Sequence, residues 1–247
     1  MLTENTIKMF NSISKRYDFL NSFLSLGIDR LWRRKYVKMV LDIIKMDAGF
    51  TPEMPIITPI ILDVCSGTGD IVSRLRKMTP VVAGVNPATI VACDFSVQML
   101  MRGQTQNKIV NNAVAANAEQ LPFKDNLFSC VTIAFGIRNI YNIENVKEFL
   151  NEANRVLQKN GHIAILELTV PENFIIRKVY SLYLNLIVTG LGGLISRKFS
   201  AYKYLSSTIK NFMTPQELAQ IMKTCRFSEI EIHKLTFGMA TIILGKK

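Results

Sequence analysis

Pro59-Ile-Ile-Leu-Asp-Val64 is a near-continuous apolar run that leads directly into Cys65-Ser-Gly67-Thr-Gly69-Asp70. A strand that is apolar on both faces must be covered on both faces, which is the condition of a parallel sheet flanked by helices. Glycines at alternate positions just beyond it let the backbone approach a ligand closely, and the N-terminus of the following helix can receive polar groups. This is also where open α/β sheets bind their ligands, at the carboxyl ends of the strands. The turn holds only G-x-G, without the third glycine of a dinucleotide site, and no G-x-x-x-x-G-K-[ST] occurs. Nicotinamide and nucleotide-triphosphate chemistry therefore lose ground.

Runs of the same kind recur at Thr89–Asp94, Ala113–Ala116, Cys130–Phe135 and His162–Glu167. Val146, Phe149, Leu150, Ala153, Val156 and Leu157 share one helical face, which predicts a helix ending at Lys159-Asn-Gly161. Farther on, Thr214-Pro215 with Glu217 reads as a capped helix start, and Leu218, Ile221, Met222 and Cys225 form its stripe. Two strands, Ser228–Leu235 and Met239–Leu244, follow with only Thr-Phe-Gly between them. Strands that close cannot be parallel, so the chain ends in a hairpin with an antiparallel edge strand on an otherwise parallel sheet. The reading divides one domain of 247 residues into an N-terminal helical cap (1–50), a core (51–170), a cap insertion (171–213) and a C-terminal helix with hairpin (214–247).

The second strand ends in Cys93-Asp94-Phe95. A carboxylate at that tip accepts hydrogen bonds from ribose hydroxyls, although here it lies 25 residues beyond Gly69. Its alternative role, capping the next helix, suits Ser96 better. A third segment, Ala116-Asn-Ala-Glu-Gln-Leu-Pro-Phe123, follows the third strand and completes a nucleoside cradle in which an amide and backbone N–H groups read an adenine edge.

Charge bears on the partner. The net +11 is distributed as +4 over residues 1–50, zero over 51–170 and +7 over 171–247. A neutral middle with basic flanks points to an anionic surface, nucleic acid or lipid headgroups, met by the flanks. The four cysteines (Cys65, Cys93, Cys130, Cys225) are scattered beside apolar runs and read as buried free thiols of a reducing compartment. With no basic-then-apolar leader at Met1, the expected location is cytoplasmic. Two histidines, His162 in a turn and His233 in a terminal strand, and no clustered acids leave no metal site.

Several segments together carry a more specific resemblance: Asn11 to Arg33 (with Tyr17-Asp18, Ser25-Leu-Gly27 and Trp32-Arg33), the Asn117–Phe123 loop, Thr132-Ile-Ala-Phe-Gly-Ile-Arg138-Asn139, and Ala201-Tyr202-Lys-Tyr204-Leu. The chain resembles the ubiquinone/menaquinone biosynthesis C-methyltransferases of the UbiE type from about residue 8 onward. The resemblance implies a class I S-adenosylmethionine-dependent methyltransferase (Rossmann-like α/β) fold with a seven-stranded sheet, its last strand antiparallel. The helical cap would come from the N-terminal and 170–212 segments. It implies methyl transfer to a ring carbon of a reduced prenylated quinone, most often demethylmenaquinol, with a 2-polyprenyl-6-methoxy-benzoquinol as the alternative acceptor.

Thr68, Asp94, Asn117 and Ala118 match the family's cofactor positions. Asp63, Gly67, Gly69 and Phe95 complete the expected site, and Ala134 stands where a serine is common. Asn142 and Lys159-Asn-Gly-His162 also depart from the family pattern.

A quinol carbon becomes nucleophilic when its neighbouring hydroxyl loses a proton, so the site needs a proton acceptor, a phenolate stabiliser and positioning. Arg138 is the candidate stabiliser, Asn139 orients a water or the quinol oxygen, and Tyr17 with Asp18 are candidates for proton relay. Other roles stay open: Arg138 pairing with Glu167 or Asp18, Asn139 capping the next helix, Tyr17 packing in the core. Val179–Ser196 has no charge and is flanked by Arg177-Lys178 and Arg197-Lys198. Three glycines and several polar groups argue against a span, and a lid for an isoprenoid tail resting on anionic headgroups fits better. A nucleic-acid methyltransferase would explain the basic charge but would need an aromatic-interleaved basic stripe, which is absent. A non-catalytic adaptor is the other class, and a homodimer stays open.

Overall fold

The structure is a computed structural model that describes residues 25, 27–47, 59–78, 89–109, 112–140, 142–191 and 199–247. The chain runs through α1 (Ile28–Asp47), β1 (Ile60–Val64), α2 (Asp70–Met78), β2 (Thr89–Asp94), α3 (Val97–Thr105), β3 (Ala113–Ala115) and β4 (Phe128–Ala134). It continues with a 3-10 turn (Ile137–Asn139), α4 (Ile143–Val156), β5 (Leu157–Leu168), α5 (Phe174–Tyr183), a π-helical stretch (Leu184–Leu191), α6 (Phe199–Asn211), α7 (Pro215–Thr224), β6 (Ser228–Leu235) and β7 (Ala240–Lys246). Seven strands form one sheet in the order β3-β2-β1-β4-β5-β7-β6. β1 to β5 are parallel, and β7 is antiparallel to both β5 and β6.

The antiparallel strand is thus the last in the chain, as expected, but it does not lie at the edge. Burial explains the correction. Six of the seven β7 residues are buried, the pattern of a strand enclosed on both faces. β6 exposes Glu229, Glu231 and Lys234 and takes the edge, where charge discourages further pairing.

The helix before β5 also ends earlier than its periodicity predicts. Leu157 turns extended and pairs with Phe128, so that Lys159 to Gly161 belong to the strand, which Asn160 bends through a left-handed conformation (φ 64°). For the same reason His162 is a sheet residue, opposite Cys130 and Lys246, rather than a turn residue.

The sheet has a core on each side. Ile61 and Leu62, consecutive on β1, enter different cores, as strand alternation requires. On one side α4 (Phe149, Leu150, Ala153) and α7 (Leu218, Met222) cover Val64, Val131 and Ile133. On the other, α1 (Trp32, Tyr36, Val37, Val40) and α2 (Ile71, Val72, Leu75) cover Cys130, Ala164 and Leu166. Each fully buried Leu or Ile contributes about 1.5–3 kcal/mol.

Long-range hydrogen bonds from two side chains fix α1. The Tyr36 hydroxyl donates to Ala164 O at 2.7 Å and accepts from Ile133 N at 3.2 Å, and Trp32 Nε1 donates to Thr236 Oγ1 at 2.8 Å. The α7 start is a capping box of Thr214 and Glu217 behind Pro215, as read from sequence. Asn173 caps α5, and Thr189 Oγ1 donates to Leu184 O at 3.1 Å within the π-helical stretch. Among the described residues no helix is long and apolar enough to cross a membrane. Cys93, Cys130 and Cys225 are buried free thiols, and Cys65 is half-buried.

Candidate active site

The carboxyl ends of β2, β1 and β4 lie side by side, and a cavity of about 860 Å³, mouth included, opens over them. Its floor is the turn after β1. Gly67 has φ +55°, and a Cβ added there would meet nothing within 4 Å, so this glycine leaves open space on the cavity wall. Gly136, after β4, is required by contact instead: a Cβ there would come within 2.5 Å of Cys65 Cβ. Cys65 (φ 53°) and Phe135 (φ 57°), the residues that leave β1 and β4, both hold the left-handed backbone that non-glycine residues avoid. Strain of this kind concentrates at functional sites.

Asp94 ties the turn to the sheet. Its Oδ2 accepts from Gly67 N and its Oδ1 from Ser96 N, each at 2.8 Å. Ser96, not Asp94, caps α3, its hydroxyl accepting from Met99 N. Burial pushes the Asp94 carboxyl up to about 6 in spite of these bonds. Asp63, on β1, accepts from Thr132 Oγ1 at 2.7 Å, and its other oxygen is buried without a hydrogen bond. Burial raises its pKa to about 7, with the Thr132 hydroxyl and the Arg33 charge acting the other way. The Ser66 hydroxyl, on the cavity wall, is likewise buried without a partner.

Of the residues singled out from sequence, Gly67, Thr68, Asp94, Phe95, Ala118, Ala134 and Asn139 line the cavity together. Asp63 lies beneath it, Gly69 packs under the Ile109 side chain, and Asn117 is beside the wall, its carbonyl accepting from Gln120 N. Tyr17 and Asp18 lie outside the described residues.

Arg138 corrects an expectation. Its guanidinium does not line the cavity: it is buried against the Glu167 carboxylate and donates to Phe135 O at 2.9 Å. Glu167 also accepts from Arg138 N at 3.2 Å and from Leu168 N at 2.7 Å. The charge that was to face a phenolate is therefore neutralised inside the fold, the pairing left open at the sequence level. What the pair does is hold the Phe135–Asn139 turn, and with it Asn139, against the cavity. Asn139 does not cap α4, since Asn142 does, accepting from Asn145 N at 2.9 Å.

Sequence reasoning missed Arg33, Ser66, Met99 and Glu119 on the wall. Ser66 sits inside the glycine turn and was within reach of a turn-based argument. Arg33 had only its place in the Trp32-Arg33 motif as a signal, because α1 reaches the cavity solely through tertiary packing.

The model of the ubiE/COQ5 methyltransferase family matches residues 2–247. Among curated proteins, the chain is 36% identical to the ubiquinone/menaquinone biosynthesis C-methyltransferase UbiE of Geobacter sulfurreducens, over 97% of this chain and 87% of that one. It is 34% identical to the demethylmenaquinone methyltransferase of Thermotoga maritima, over 98% and 96%. Among solved structures, an S-adenosylmethionine-dependent methyltransferase of Thermotoga maritima, described as a possible histamine N-methyltransferase, superposes with a TM-score of 0.61. It is 17% identical over 97% of this chain and 99% of that one, a likeness of fold alone.

Proposed function

The chain belongs to the ubiE/COQ5 methyltransferase family, and from that premise we propose that its cavity binds S-adenosylmethionine and that it methylates a ring carbon of a prenylated quinol, converting demethylmenaquinol to menaquinol. The reading is carried by one arrangement, a cavity on the β2, β1 and β4 tips whose wall holds an orphaned Ser66 hydroxyl and the open face of Gly67. An unpaired buried hydroxyl costs free energy that a polar ligand recovers. The residues present thus fit the group: Asp94 for the ribose, Phe95, Met99 and Ala118 for the base, Ser66 to Thr68 for the polar remainder. The bound cofactor supplies an electrophilic methyl group.

The rest is the work of the chain. Asn139 orients the quinol oxygen or a water that takes its proton. The Arg138–Glu167 pair fixes the turn that carries Asn139 and so acts by positioning. Ala134, with no side-chain donor, leaves the β4 tip to contact the ligand through backbone and methyl only. The benzoquinol acceptor remains the second reading because the relatives carry both pathway names.

A lipid acceptor calls for a bilayer, and we infer peripheral contact through the outer face of α5 and the π-helical stretch. Ile175, Val179, Leu182 and Leu186 follow helical spacing and are 58–71% exposed. Phe174 joins them, with the Lys178 ammonium 5.7 Å over its ring. Between Glu172 and Glu217 the chain carries six basic residues and no acidic one, which complements anionic headgroups.

The test is an assay in detergent micelles with methyl-labelled cofactor and reduced demethylmenaquinol, a methoxy-benzoquinol and tRNA as parallel acceptors. Label on a ring carbon of one quinol is expected, and its absence from both quinols with cofactor binding intact refutes the reading. For the membrane contact, Leu182→Ser/Leu186→Ser is expected to release the protein from anionic vesicles in a sedimentation assay. Undiminished binding refutes that face.

A further inference from the structure

We propose that Arg33 receives the carboxylate at the amino-acid end of the bound nucleoside. This inference rests on reading the cavity as the S-adenosylmethionine site.

The sheet order supplies the axis. With β2, β1 and β4 adjacent, Asp94, the glycine turn and Phe135 stand in a row along the sheet edge. Two strand spacings, roughly 10 Å, separate the ends of that row. Such a length suits an extended nucleoside amino acid from its ribose to its carboxylate. Asp94 marks the ribose end. At the other end the Arg33 guanidinium lies 4.8 Å over the Phe135 ring.

Charge then distinguishes the two ends. Arg33 is the one cationic side chain on the cavity wall among the described residues, whereas the acids on that wall are Asp70, Asp94 and Glu119. Asp70 is already neutralised by Lys108 Nζ at 2.7 Å. The side chain of Arg33 is only 11% exposed, and its Nε is buried without a hydrogen bond; it forms an ion pair with Asp29 at 3.5 Å, and its charge also acts on Asp70 and Asp63. Asp29 in turn accepts from Ser25 Oγ at 2.7 Å. A guanidinium presents five donors in a planar fork that matches a carboxylate in two-point contact. Here the guanidinium is largely buried, stands over an aromatic ring, and is the cation that the cavity wall offers an anion among the described residues. A ligand carboxylate completes it.

The experiment compares two probes by isothermal titration calorimetry: S-adenosylhomocysteine, which carries the carboxylate, and 5′-methylthioadenosine, which lacks the whole amino-acid end. Arg33→Met is expected to lower the affinity for S-adenosylhomocysteine at least tenfold while leaving methylthioadenosine within twofold, and Arg33→Lys is expected to restore part of the loss. Retained methylthioadenosine binding shows that the variant is folded. Equal loss for both probes, or no loss for either, overturns the proposal and assigns Arg33 to packing. Failure of the unmodified protein to bind either probe refutes the cofactor reading itself, a distinguishable outcome.

Discussion

Glu167→Gln tests the claim that a neutralised ion pair, not an exposed arginine, shapes the site. The carboxylate serves three donors: Arg138 N on one oxygen, and Leu168 N with the Arg138 guanidinium on the other. A glutamine keeps the shape but turns one acceptor into a donor, and it leaves the guanidinium buried with no counter-charge. Removing one partner of a buried pair costs about 3–5 kcal/mol. For a chain of this size each kcal/mol lowers Tm by about 2–4 °C, so the variant should melt about 6–20 °C below the parent by circular dichroism. The double variant Arg138→Met/Glu167→Gln removes both charges, keeps an amide oxygen to accept from backbone N–H, and should regain most of that loss, because no uncompensated charge remains. A single variant that melts within 2 °C of the parent, or a double variant worse than the single, refutes the reasoning.

Asp63 should make stability depend on pH. Its folded pKa of about 7 lies above the unfolded value of 3.8, so the native state binds the extra proton and its stability falls as pH rises from about 4 to 7. Asp63→Asn removes this dependence; in urea unfolding its advantage over the parent should grow across that window, by up to about 4 kcal/mol, and level off above it. A constant gap contradicts the assignment. Gly67→Ala and Gly136→Ala should separate on binding: the first puts a Cβ into open cavity space and should weaken S-adenosylhomocysteine binding more than tenfold, besides about 1–2 kcal/mol of backbone strain at φ +55°, whereas the second meets Cys65 and should cost about 1–3 kcal/mol of stability. Tyr36→Phe removes the hydroxyl between Ile133 N and Ala164 O and should cost about 1–3 kcal/mol by chemical denaturation, with cofactor affinity little changed.

How far the site can be read from sequence depends on the range of the interaction that makes each part. The Thr214 cap, the glycine turn and the Ser96 cap are made by residues within a few positions of one another, and their signals are complete in the local sequence. The end of α4 was misplaced because Leu157 has a helix-compatible spacing but is claimed by Phe128, 29 residues earlier. The position of β7 inside the sheet is likewise a competition for burial. Hairpin spacing shows that the two strands pair, but only their relative apolarity across both faces decides which one lies inside.

From the amino-acid sequence alone came the parallel α/β core, the seven strands, the glycine turn at the end of the first of them and the resemblance that names the family. Apolar periodicity, caps and glycine turns are properties of contiguous residues, and they survive without knowledge of contacts. Tertiary structure decided what the charges do: Arg138 is spent on Glu167 beneath the turn, and Arg33, carried in on a helix that packs through Trp32 and Tyr36, stands on the cavity wall instead. A guanidinium takes its role from whichever carboxylate or ring the fold brings within a few ångströms, and that distance is set by packing across the whole chain.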